Sequence, residues 1–191
     1  MSDAPWLLVG LGNPGSEYEG TRHNVGALCV DVLAARVGGR FSRHRRGNAD
    51  VVEARLGGHR VIIAKPRSFM NTSGGPVKAL ADFYKVPLAK LVVLHDELDL
   101  PFGAQRFKSG GGDNGHNGLK SVRAAMDSGE FLRVRLGIGR PPGRQDPADF
   151  VLRPFAAAER KELGAILERA ADAVEVLITD GLARAQQEYN D

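Results

Sequence analysis

The sequence predicts an α/β protein: a single three-layer domain over residues 1–191, built on a mixed, mostly parallel twisted sheet flanked by helices. Three observations predict it. Trp6-Leu7-Leu8-Val9 and Leu91-Val92-Val93-Leu94 are unbroken apolar runs, which suit strands buried on both faces. Helical stripes of apolar residues separate such runs, which is the alternation that gives parallel strand pairs. Gly57-Gly58 between two strand-like segments marks a hairpin, so part of the sheet must be antiparallel. A chain of 191 residues buries enough surface in one core to need neither disulfide nor structural metal.

The elements follow in order. After the first strand, Val25, Leu28, Cys29 and Val32 keep the spacing of one helix face. Asp50 to Leu56 and Arg60 to Ala64 form the hairpin. Thr72-Ser73 is expected to cap a helix with Pro76 in its first turn, an apolar face of Val77, Leu80, Ala81 and Tyr84, and a stop before Pro87. The strand at 91–94 then delivers His95-Asp96-Glu97 at its C-terminal end, the edge where open α/β sheets bind ligands. Ala104 to Lys108 reads as a strand, and residues 109–115 are too glycine-rich for regular structure. Leu119, Val122 and Met126 mark a helix. Leu132, Val134, Leu136 and Ile138 alternate as a strand, with Arg133 and Arg135 on its other face and so segregated from the core. A polar connection at 139–147 leads to a long amphipathic helix through Leu163, Ile166, Leu167, Ala170, Val174 and Leu177, ending near Gly181.

The net charge of +3 conceals an asymmetry, because residues 1–158 carry 22 basic and 15 acidic side chains and residues 159–191 carry 4 and 8. The basic excess lies in 36–67 (9 against 2) and 103–145 (8 against 3), which makes a polyanionic partner worth testing. The Arg36, Arg40, Arg43, Arg45 and Arg46 cluster fits no motif and reads as a solvated loop. The single cysteine, Cys29, lies in an apolar helical pattern and reads as a buried, inert thiol. The N-terminus has no basic region before its short apolar run, and no run approaches a membrane span, so a cytoplasmic protein with no membrane contact is expected.

Gly10-Leu11-Gly12-Asn13-Pro14-Gly15 matches G-x-G-x-x-G after a strand, yet the context of a dinucleotide site is missing. Pro14 removes a backbone donor, the helical pattern begins only near Val25, and Asp31 falls inside that helix instead of ending a second strand. No Walker A lysine, G-x-S-x-G elbow or H-E-x-x-H pair occurs.

Three stretches set amides and imidazoles beside glycine: 12–15 with Arg22-His23-Asn24, 69–74, and Gly115-His116-Asn117-Gly118. Asparagines in one cleft can hold a peptide backbone without selecting a side chain, and a histidine oriented by a carboxylate can take a proton from water. An asparagine beside glycine is also an ordinary turn residue, and His44 and His59 read as solvated. From composition and spacing alone, the residues support an α/β domain with a polar cleft.

Residues 10–15, Tyr18, Thr21-Arg22-His23-Asn24 with Gly26, Lys65-Pro66, Phe69-Met70-Asn71 with Ser73-Gly74, His95 to Pro101, and Gly115 to Leu119 form one ordered series. The whole series resembles the bacterial peptidyl-tRNA hydrolase family. The resemblance implies cleavage of the ester joining a peptide to the terminal ribose of tRNA, with peptidyl-tRNA as the partner. Ester hydrolysis needs no redox cofactor, no ligand cluster in the sequence requires a metal, and a monomer is the default expectation. It implies His23 as the base on water, Asp96 as the carboxylate that orients it, and Asn13 as a residue positioning substrate at the reaction centre. Asn71 is implied to hold the peptide backbone and Asn117 the substrate and attacking water, with Tyr18, Phe69 and His116 also lining the substrate. Lys108 and Arg135 match the positions that hold tRNA phosphate, with Lys120 as a further candidate. Arg106 and Lys108 share one strand face, as do Arg133 and Arg135, which agrees with that assignment and equally with a solvated face. Asp113-Asn114 departs from the family, where His or Gly is common, and sets a carboxylate near incoming phosphate. The alternative reading is a non-catalytic RNA-binding or ribosome-associated module; a dinucleotide-dependent oxidoreductase rests only on the 10–15 glycines.

Overall fold

Seven strands assemble into one sheet in the computed structural model, which describes residues 3–191. In chain order they are β1 (Trp6–Gly10), β2 (Ser42–Arg43), β3 (Ala49–Leu56), β4 (His59–Pro66), β5 (Leu91–Glu97), β6 (Gln105–Ser109) and β7 (Leu132–Gly137). Across the sheet the order is β2-β3-β4-β1-β5-β7-β6. The central strands β4, β1, β5 and β7 are parallel, and β3 and β6 flank them antiparallel, which gives the expected mixed, mostly parallel sheet. The reason is composition: Leu7, Leu8, Val9, Leu91, Val92, Val93 and Leu94 are fully buried and alternate between two apolar layers.

Helices α1 (Val25–Arg36) and α5 (Ala157–Asp180) cover one face through Cys29, Val30, Leu33, Ala170, Val174 and Leu177. Helices α2 (Gly74–Tyr84) and α3 (Asn117–Met126) cover the other through Val77, Leu80, Leu119 and Val122. Two helices were not foreseen: the five-residue α4 (Pro147–Val151), and α6 (Leu182–Tyr189), which starts after Gly181 ends α5. Behind α6, Asp191 pairs with β6, its N–H donating to Gln105 O and its Oδ2 accepting from Gln105 N, so an otherwise open sheet edge is covered. No helix among the described residues is long and apolar enough to cross a membrane.

The hairpin forms as read, with Gly57 at φ 58° and Gly58 at φ 82°, the left-handed pair that a two-residue turn requires. Four other readings are corrected. Ser73 precedes α2 without capping it; its hydroxyl donates to Met70 O and that of Thr72 to Phe69 O, because both lie in or next to a 3-10 turn at Met70–Thr72. The open Gly74 N–H is taken instead by Ser121 Oγ of α3 at 2.8 Å. Arg133 is buried, not segregated from the core; it lies over the Phe131 ring at 4.5 Å and donates to the carbonyls of Gly111, Gly112 and Gly129. Arg36 belongs to α1, not to a loop, and reaches Glu168, Asp172 and Glu175 of α5, so part of the acidic terminal charge is neutralised inside the fold. His44 is more than solvated: its Nδ1 accepts from the amides of Arg46 and Gly47, and its ring meets Phe83 edge-on at 4.5 Å.

Candidate active site

The parallel strands end on one sheet edge, and the site is built there from β5, the turn before α1 and the start of α3. Asp96 is the penultimate residue of β5 and is buried. His23 sits in a 3-10 turn at Arg22–Asn24 that leads into α1. That turn is pinned by Arg22, which packs on the Phe150 ring at 3.9 Å, donates to Phe150 O, and pairs with Glu159 at 3.2 Å. His116 is the N-cap of α3.

Asp96 accepts from both imidazoles, Oδ2 lying 2.8 Å from His23 Nδ1 and Oδ1 lying 2.7 Å from His116 Nε2. The tautomer of His116 follows from its cap. Its Nδ1 accepts from the amides of Gly118 and Leu119 at 3.1 and 3.2 Å, so the proton must sit on Nε2 and point at Asp96. A carboxylate has only acceptors, so His23 likewise donates through Nδ1 and keeps the lone pair on Nε2. Burial alone would raise the Asp96 carboxyl, but the two histidines outweigh it and hold it well below the usual carboxylate range. Asp96 is thus a fixed anion, and His23 a base whose free nitrogen is set by it.

His23, Asp96 and His116 also place ligand-type atoms within 4.8 Å of one another, the spacing of a metal set. With a proton committed to each His–Asp contact, the geometry is that of hydrogen bonds, and a cation there must first displace both. His95, the neighbour of Asp96, is not part of the set. It is buried, its Nδ1 is held by Asp96 O at 2.8 Å, and burial lowers its pKa to about 3.

A cavity of about 140 Å³ opens over this set, lined by His23, Asp96, His116, Asn117 and Asn114 among others. Asn13 stands on the β1 side. Its Oδ1 accepts from Met70 N at 2.7 Å, and its backbone N–H and C=O are matched by the side chain of Asn24 at 2.9 Å each. Asn24 and Met70, quoted in the sequence motifs without roles, are therefore what hold Asn13 in place. Asn71 and Phe69 are exposed beside that contact, with Tyr18 edge-on to Phe69 at 6.4 Å.

The expected phosphate residues are only partly together. Arg106 faces Arg135 and Lys108 faces Arg133 across the β6–β7 ladder, so all four cations share one face. Arg135 is already engaged, by Glu97 Oε1 at 3.0 Å. Lys120 lies apart on α3, in a shallow groove with Arg123 and Asp113. The sequence reading missed the latch between these parts: Asn114, at φ 50°, donates to Glu97 Oε2 at 3.0 Å and to Asp99 Oδ2 at 2.6 Å, while Asp99 also binds Arg140. The departure at 113–114 therefore ties the glycine-rich loop to the acids that hold Arg135 and Arg140.

Comparison with known proteins decides the family: the family model described as peptidyl-tRNA hydrolase matches residues 7–191. The chain belongs to the peptidyl-tRNA hydrolase family. It is 64% identical over 189 residues to the peptidyl-tRNA hydrolase of Nocardia farcinica, covering 99% of this chain and 98% of that relative. It is 61% identical over 188 residues to that of Frankia alni, covering 98% and 95%. A crystal structure of peptidyl-tRNA hydrolase from Acinetobacter baumannii superposes with a TM-score of 0.91 at 32% identity, covering 100% of this chain and 98% of that one. Membership of the peptidyl-tRNA hydrolase family thus extends to the three-layer fold and its sheet.

Proposed function

We propose that this chain hydrolyses the ester between a peptide and the 3′-terminal ribose of tRNA, freeing tRNA for further translation and rescuing peptidyl-tRNA dropped from ribosomes. The observation that carries the mechanism is the fixed tautomer of the His23–Asp96–His116 set. His23 Nε2 takes a proton from water as the oxygen adds to the ester carbonyl, and Asp96 stabilises the imidazolium that forms. The tetrahedral oxyanion is met by amide donors, for which Asn13 and Asn117 are the candidates. Collapse breaks the bond to the ribose oxygen, and the proton held by His23 passes to that leaving group. Ester hydrolysis by this route asks for no redox or metal chemistry.

Asn71 is assigned to the peptide backbone, so that an aminoacyl-tRNA, with a charged amine where the peptide carbonyl should be, leaves a polar group unmatched. Tyr18, Phe69 and His116 complete the substrate surface, and Lys108, Arg135 and Lys120 hold phosphate. The chain is read as a monomer acting in the cytoplasm, with peptidyl-tRNA as its partner.

The test is N-acetyl-aminoacyl-tRNA incubated with wild type and His23→Asn. Wild type is expected to release free tRNA and the variant to lose most of that rate. An intact ester with wild type overturns the enzyme reading in favour of an RNA-binding module, and equal cleavage overturns the role of His23. Asn71→Ala is expected to narrow the rate ratio between N-acetyl-aminoacyl-tRNA and aminoacyl-tRNA.

A further inference from the structure

A cavity of about 300 Å³ beside the site has no role yet; its lining includes Asn13, Asn24, Asp31, Lys65 and Arg67, together with Glu19 and Asp50. It does not include His23 or Asp96, yet its wall toward them is Asn13 and Asn24, and Asn24 directly follows His23. Sheet order fixes what lies on which side. The C-terminal strand ends run from β7, which carries Arg135, to β5, which carries Asp96, then to β1 and β4, whose ends Gly10 and Lys65-Pro66 line this cavity. The cationic face and the cavity therefore lie on opposite sides of the reaction centre. A substrate with phosphate on the β7 side extends its acyl portion toward β4.

From β5 to β4 is two strand spacings, or about 10 Å, the length of about three extended residues. The charges of the cavity also sort its occupant. Lys65 is paired with Asp31 at 2.6 Å and braced on the Phe41 ring at 4.3 Å, and Arg67 is paired with Asp50 at 3.0 Å. Glu19 has no ion-pair partner among the described residues, so three acids face two bases and the lining is net negative. Phosphate is repelled from such a lining, whereas a neutral or cationic side chain is accepted.

We propose that this cavity is a peptide subsite for the residue about three positions before the ester, and that Glu19 makes it favour a basic side chain over an acidic one. The proposal rests on the hydrolase reading above and adds a selectivity to it.

The experiment uses one tRNA acylated with N-acetyl-X-Ala-Ala, where X is Lys, Ala or Glu, with N-acetyl-Ala-tRNA as the short control. In wild type, kcat/KM is expected to fall from Lys to Ala to Glu, by about tenfold across the series, the scale of one partly screened charge pair. Glu19→Gln is expected to flatten the series while leaving the rate on N-acetyl-Ala-tRNA unchanged. Arg67→Ala, which frees Asp50, is expected to steepen it. Equal rates for the three peptides in wild type, or an unaltered series in Glu19→Gln, would overturn the subsite. Failure of wild type to cleave even the short control would instead overturn the hydrolase reading, so the two failures are distinct.

Discussion

Replacing Asp96 with asparagine tests the tautomer assignment directly, because an amide has one acceptor oxygen where the carboxylate has two. His116 cannot change its proton, since Gly118 and Leu119 both donate to its Nδ1. In Asp96→Asn the new amide oxygen must therefore turn to His116 Nε2–H, leaving the NH₂ group against His23 Nδ1. His23 then accepts at Nδ1 and carries its proton on Nε2, so the nitrogen aimed at water loses its lone pair. A positioned general base contributes roughly 10²–10⁴ in rate, so kcat for N-acetyl-aminoacyl-tRNA should fall by that factor, or about 3–5 kcal/mol, with KM little changed. The sharper test is the double variant. His116→Asn keeps a good N-cap residue on α3 but removes the donor that captures the amide oxygen. The amide introduced at position 96 is then free to turn its oxygen to His23, and Asp96→Asn/His116→Asn should recover about tenfold over Asp96→Asn alone, the worth of one restored hydrogen bond. Single-turnover cleavage with thermal melting as the folding control measures both. An Asp96→Asn variant within a few-fold of wild type, or a double variant no faster than the single one, would refute the reasoning.

Lys108→Ala should raise KM for tRNA substrates and reduce the slope of log(kcat/KM) against log[salt] by about 0.7–0.9, the share of one phosphate contact; an unchanged slope counts against contact. Asn114→Gly keeps the left-handed backbone but removes the bonds to Glu97 and Asp99. Amide exchange at 110–116 should therefore quicken by about fivefold or more with little change in melting, and unchanged protection would deny the latch. Acid stability should report His95. Its folded pKa is depressed to about 3, so below about 6.5 the unfolded chain binds the extra proton and stability falls as pH falls, by up to about 1.4 kcal/mol per pH unit down to about 3. Urea titrations across that window should show a shallower pH slope in His95→Leu, and equal slopes in the two proteins would contradict the assignment.

The sheet was legible because β1 and β5 carry unbroken apolar runs, β7 alternates, and the hairpin carries Gly57-Gly58, all of them local signals. What escaped were properties that depend on distant segments. Arg133 alternates correctly for an outward side chain, but the loop at 111–112 and Gly129 fold over it and supply carbonyls. Ser73 has the chemistry of a cap, and only the approach of Ser121 from α3 makes that unnecessary. In the site, the residue types suggested a base, a carboxylate and peptide-binding amides. The pairing of His23 with Asp96, 73 residues away, came from the family resemblance and not from spacing, and the second contact of Asp96, to His116 at a separation of 20, was indicated by neither. The signal that was present but unused is the position of His116 just before a helical stripe, where a side chain that accepts from the first turn fixes its own tautomer.

The glycines after β1 gain a meaning from this geometry that the dinucleotide pattern does not supply. In a dinucleotide site they open a helix directly onto a pyrophosphate, but here α1 begins only at Val25. A Cβ on Gly10 would overlap Gly26 O and Val30, and a Cβ on Gly26 would overlap the carbonyl of Leu94. Backbone thus meets backbone where α1 crosses β1 and β5, closer than any side chain permits. Leu94 is two residues before Asp96, and Gly26 is three after His23. The approach that these glycines allow is what brings a buried carboxylate on β5 and an imidazole ahead of α1 to 2.8 Å. A motif that resembles a phosphate cradle serves here to set the distance between a base and the acid that orients it.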